Sequence, residues 1–189
     1  MGESEIFIMK EIICILDKSG SMAACKEDAI GGFTSFIDKM KEKHPDANIT
    51  VVWFDDTYEI EYEGPVLKYE PPLTWPTCGM TALLDVIGKT FNHVNPRFSK
   101  EKPEKVVMAI LTDGFENASK EFNTTIINDL ITEHKNKYGW EVIFLAADQD
   151  AWDTARFLGI DRNQTFSYSS SDTIKGFDIY TQAVMESLS

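Results

Sequence analysis

The chain has 189 residues, 43% of them hydrophobic, which is enough for one domain with a full core. Its 31 acids against 18 bases give a formal net charge of −13, excluding general affinity for phosphate backbones and anionic surfaces, so neither nucleic acid nor a membrane is expected as a partner. There is no apolar run of about 18 residues, and the start Met1-Gly2-Glu3-Ser4-Glu5 is acidic where a secretory signal is basic, so a cytoplasmic protein is expected.

Ile6 to Leu16 is a continuous apolar run of the kind found in a central, doubly covered strand, and it delivers the loop Asp17-Lys18-Ser19-Gly20-Ser21. From Lys26 to Lys43, Ile30, Phe33, Ile37 and Met40 recur at helical spacing, and Pro45 marks the end. Asn48 to Phe54 reads as a second strand. Asp55 and Asp56 shape a turn into Tyr58 to Tyr62, where apolar and acidic residues alternate as on an edge strand. Pro65 to Pro76 is an irregular connection with Tyr69, Leu73 and Trp75 to pin it, and Gly79 then frees the backbone for Thr81, which opens a helical run from Met80 to Phe91. A strand from Val106 to Thr112 ends at Asp113 in Leu-Thr-Asp-Gly. A helix from Lys120 to Asn136 has Phe122, Ile126, Ile127, Leu130 and Ile131 as its inner face. A strand from Trp140 to Ala147 follows, then helices over Ala151 to Leu158 and Ile174 to Leu188 with a short strand, Thr165 to Tyr168, between them.

Strands alternating with helices imply an open α/β sheet, mostly parallel and covered on both faces, whose ligand crevice lies beyond the carboxyl ends of the strands. Asp17, Ser19, Ser21, Thr81 and Asp113 all belong at such ends or beside them. Two carboxylates and three hydroxyls suit a hard cation that takes about six oxygens and keeps some of its water, so Mg²⁺ or Mn²⁺ is expected ahead of Ca²⁺. Glu116, Asn117 and Asp148 are candidates for the rim of this site, as is Asp150, which is equally well placed to cap the helix at Ala151; Asp85 is placed to orient site groups from one step out. Cys14, Cys25 and Cys78 are odd in number and lack metal spacing, which points to reduced, buried thiols. His44, His93 and His134 show no zinc spacing and read as surface or local hydrogen-bonding residues.

The set Asp17-x-Ser19-x-Ser21, Thr81 in Gly-Met-Thr-Ala-Leu-Leu-Asp and Asp113 in Leu-Thr-Asp-Gly resembles the metal ion-dependent adhesion site of von Willebrand factor A domains, and the resemblance spans nearly the whole chain, 1–189. It implies a Rossmann-like sheet with one antiparallel edge strand and an ion touched by Ser19 and Ser21. Thr81, Asp17 and Asp113 would reach that ion directly or through water, and an acidic side chain of a partner protein would complete its shell. Asp113-Gly114-Phe115-Glu116-Asn117 and Phe144 to Asp150 further resemble small stand-alone A domains of bacteria and phages. No catalysis is expected. The rival reading is a Mg²⁺-dependent phosphohydrolase with an aspartyl nucleophile at the end of the first strand, but Ser19 stands where such enzymes carry a second aspartate.

Overall fold

In the computed structural model, residues 9–113, 115–148 and 151–189 are described. Ile6 to Ile8 of the first predicted strand, Gly114, and Asp150 with its capping role lie outside them. Strands β1 (Lys10–Asp17), β2 (Asn48–Phe54), β3 (Tyr58–Pro65), β4 (Lys105–Thr112), β5 (Glu141–Ala147) and β6 (Thr165–Tyr168) form one sheet in the order β3-β2-β1-β4-β5-β6. All neighbours run parallel except β2 and β3, which pair antiparallel, as expected. Among the described residues, five α-helices cover the sheet: α1 (Lys26–Lys43), α2 (Leu83–Glu101), α3 (Thr124–Tyr138), α4 (Ala151–Phe157) and α5 (Thr173–Leu188). Among the described residues, no helix is long and apolar enough to cross a membrane.

The period of two along β1 divides the core. Ile12, Cys14 and Leu16 pack with α1 and α5, whereas Ile13 and Ile15 pack with α2, α3 and α4 on the other face. Within the first layer, Gly32 of α1 lies so close to α5 that an added Cβ would stand 2.6 Å from the Phe177 ring.

Four local expectations are corrected. Helix α2 starts at Leu83, because the backbone before it is committed elsewhere: Thr81 pairs with Asn117, and the Ala82 N–H donates to the Asp55 carbonyl at 2.8 Å. It also runs on through Pro96 to Glu101. Leu73 is 95% exposed and pins nothing; Tyr69 and Trp75, both buried, hold that connection. Ile126 faces solvent, since the buried stripe of α3 runs through Ile127 and Ile131 and leaves its neighbour about 100° away. Cys78 is exposed as well, unlike Cys14 and Cys25.

The alternation in β3 conceals a β-bulge. Val51 pairs with Tyr62 but Val52 pairs with Ile60, so Glu61 is the extra residue. Tyr58 and Ile60 therefore pack on the α2 side and Tyr62 on the α1 side. The Glu61 carboxylate accepts from Trp53 Nε1 at 2.7 Å and from the Tyr69 hydroxyl at 2.8 Å.

Candidate metal centre

From β1 the chain passes through α1 to β2 on one side, whereas from β3 it returns through α2 to β4 on the other. The gap between the carboxyl ends of β1 and β4 is thus the topological switch point, and Asp17 and Asp113 flank it. Asp17 is fully buried; one carboxylate oxygen accepts the Ser19 N–H at 2.7 Å and the other the Thr112 hydroxyl at 2.6 Å. Ser21 donates to Asp113 Oδ1 at 2.7 Å, and its oxygen lies 3.0 Å from that of Ser19. Four of the five predicted oxygen donors are thereby linked in one hydrogen-bonded chain.

The loop that leads to Thr81 is tied to the same place through its backbone. Gly20 N–H donates to the Gly79 carbonyl at 3.1 Å and Cys78 N–H to the Lys18 carbonyl at 2.9 Å, fastening the two loops together. Gly79 has φ +72, and a Cβ there would collide with the Asp56 carboxylate, so both conformation and space require glycine. Asn117 clamps Thr81 from the other side: its side-chain oxygen accepts the Thr81 N–H at 2.9 Å and its own N–H donates to the Thr81 carbonyl at 3.0 Å.

The other nominated residues take different places. Glu116 turns inward and accepts from the N–H groups of Leu84, Ala118 and Ser119 and from the Ser119 hydroxyl, at 2.7–3.1 Å, capping α2 from a distance. Asp85 accepts the N–H groups of Lys120, Glu121 and Phe122, each at 2.9 Å. Burial opposes its ionisation, but these three amides together hold it below the usual range. Asp148, exposed at the end of β5 with φ 52, is bound by the N–H and hydroxyl of Ser170, which lower its pKa. The Asp55 carboxylate accepts from the Thr57 N–H and hydroxyl, forming the expected turn. Trp75 was legible only as an anchor; its indole N–H donates to the Asp17 carbonyl at 3.0 Å while its ring packs edge-on to Trp53.

Burial raises the pKa of Asp17. It pushes Asp113 from 3.8 up to about 6, with the charges of Asp17 and Asp148 adding and the Ser21 hydrogen bond opposing. No ion pair joins either acid to a Lys, Arg or His among the described residues, and Lys18 turns away to Glu59. Nor do three His, Cys, Asp or Glu side chains converge as metal ligands among them. The donor set here is two carboxylates with hydroxyls, and two crowded acids without a counter-charge fit a hard divalent cation.

No family model matches the chain, and no curated protein matches it significantly. Solved structures do. Proximal thread matrix protein 1 from the mussel byssus, in a form with a zinc-occupied MIDAS motif, aligns with a TM-score of 0.63 at 18% identity over 93% of this chain and 45% of that one. The ArnB paralog VWA2 from Sulfolobus acidocaldarius gives 0.61 at 17% identity over 87% and 43%. The vWF domain of the type V pili tip protein Mfa5 from Porphyromonas gingivalis gives 0.67 at 11% identity over 94% and 95%. The chain thus spans less than half the length of the first two. The six-stranded sheet with its single antiparallel pair, covered by helices on both faces, has the fold of a von Willebrand factor A domain.

Proposed function

We propose that the chain is a divalent-metal-dependent protein-interaction module in which Asp17, Ser19, Ser21, Thr81 and Asp113 form a metal ion-dependent adhesion site. The observation that carries this reading is the hydrogen-bonded chain from Asp17 through Ser19 and Ser21 to Asp113 at the switch point. Mg²⁺ or Mn²⁺ suits the donors best, and the zinc in the mussel protein's motif supports a divalent ion in general. The bound ion would supply an open coordination position for a carboxylate of a partner protein. With only two protein carboxylates in the set, the ion would keep enough positive character to attract a third. Met80 and Phe115, 53% and 69% exposed beside Thr81 and Asp113, offer apolar surface for the residues flanking that carboxylate.

Asp17 has both oxygens occupied and no solvent exposure, which disfavours it as a nucleophile and supports this reading over the phosphohydrolase. The test is the melting temperature in EDTA and then with Mg²⁺, Mn²⁺ or Ca²⁺, for wild type, Asp17→Ala and the milder Ser21→Ala. An ion at 100 times its Kd adds about 2.7 kcal/mol, or roughly 5–10 °C in a domain of this size. That rise is expected in wild type and should be absent or much reduced in both variants. Equal rises in all three would remove the site, and phosphoester turnover lost in Asp17→Asn would transfer the assignment to the rival.

A further inference from the structure

Tyr168 closes β6, in register with Ala147, and its carbonyl accepts the Asp148 N–H at 3.0 Å. Its ring is wedged against α5, where a Cβ on Gly176 would stand 2.7 Å from it. The residue is 7% exposed, and its hydroxyl is buried with no hydrogen-bond partner among the described residues. Such orphans are uncommon, because an unmet buried hydroxyl forfeits the hydrogen bonds it had in water. Thr112 of β4 pairs with Ala146 of β5, and Ala147 pairs with Tyr168, so Tyr168 stands level with Asp113 at the carboxyl end of the sheet, with β5 between them. Burial raises the pKa of this phenol first, and the charge of Asp113 next, in keeping with that placement. The other orphaned tyrosine, Tyr58, instead has Thr90 and Glu63 as its polar neighbours.

Resting on the metal-centre reading above, we infer that Tyr168 belongs to that centre as a positioning residue, its hydroxyl serving as the partner for a water that enters with the hydrated divalent ion. Mg²⁺ and Mn²⁺ retain several waters when bound, and an ion-polarised water is a strong donor. The phenol oxygen accepts from that water, and its own proton turns toward the negative field of Asp113. Tyr168 would then strengthen ion binding without touching the ion, and that water would satisfy a hydroxyl that no described residue meets.

The test compares wild type, Tyr168→Phe and Tyr58→Phe, measuring Mn²⁺ affinity by the EPR signal of free Mn²⁺ and the melting temperature in EDTA. Tyr168→Phe is expected to bind Mn²⁺ about fivefold more weakly, as for one lost hydrogen bond, while melting in EDTA at or above the wild-type temperature. Tyr58→Phe should bind Mn²⁺ like wild type. An affinity within twofold of wild type for Tyr168→Phe, a lower melting point for it in EDTA, or an equal loss of affinity in Tyr58→Phe would each overturn the inference. No Mn²⁺ binding by wild type would overturn the metal centre itself, and this inference with it.

Discussion

Asp113 stands where burial and neighbouring negative charge both oppose its ionisation, with a pKa pushed up to about 6. Between its ordinary 3.8 and that value the metal-free fold holds a proton that the unfolded chain has released. The native state therefore binds more protons than the unfolded one, and this group's contribution to stability is lost as pH rises from about 4 through about 6. Asp17, also raised by burial, acts in the same direction. In EDTA, Asp113→Asn is accordingly expected to melt above wild type at pH 7, with the difference fading as pH falls to about 4, a trend that scanning calorimetry across that range can read. A difference independent of pH would show that the Asp113 charge does not oppose folding. Of the candidate site, Asp17, Ser19, Ser21 and Asp113 lie together at the strand ends where the sequence pattern places them, because each directly follows a buried apolar run or the turn after it. The duties of Glu116 and Asp85 were not legible, because a carboxylate that binds backbone amides leaves no pattern in side-chain identity.

Between elements, adjacent glycines on α1 separate helix propensity from packing. Gly31 is exposed and a Cβ there meets nothing, whereas one on Gly32 meets both the ring and the Cβ of Phe177. Gly31→Ala should stabilise the protein by about 0.5–1 kcal/mol through helix entropy. Gly32→Ala sets the same gain against an overpacking cost of about 1–3 kcal/mol and should come out destabilising. Urea midpoints for the two variants check the opposite signs, and equal shifts would mean that α1 and α5 separate freely. Strand and helix positions were readable wherever burial is periodic, as over Lys26–Lys43 and Asn48–Phe54, where the expected and observed limits coincide. The start of α2 was not, because it depends on hydrogen bonds from Asp55 and Asn117, which are distant in sequence. Nor was the bulge at Glu61, since Tyr-Glu-Ile-Glu-Tyr-Glu keeps its alternation in the sequence while the chain turns it over.

At the scale of the whole molecule, a net charge of −13 surrounds the candidate site with a field that gathers cations. Raising monovalent salt from about 0.02 M to about 0.5 M shortens the screening length from roughly 20 Å to roughly 4 Å. Mn²⁺ affinity is expected to fall by about three- to tenfold over that range, measured by titration at each salt concentration, whereas a constant affinity would mean that the ion responds only to its immediate ligands. The same acids have a second effect along β3. A bare outer strand is a template on which another chain can add its own strand, and here that invitation is withdrawn by Glu59 and Glu63 at the surface, Glu61 in the bulge and Pro65 at the end. At the opposite margin β6 is only four residues long, too short to guide much pairing. Lateral growth of the sheet is thereby discouraged on both sides, and the β-sheet stays at six strands.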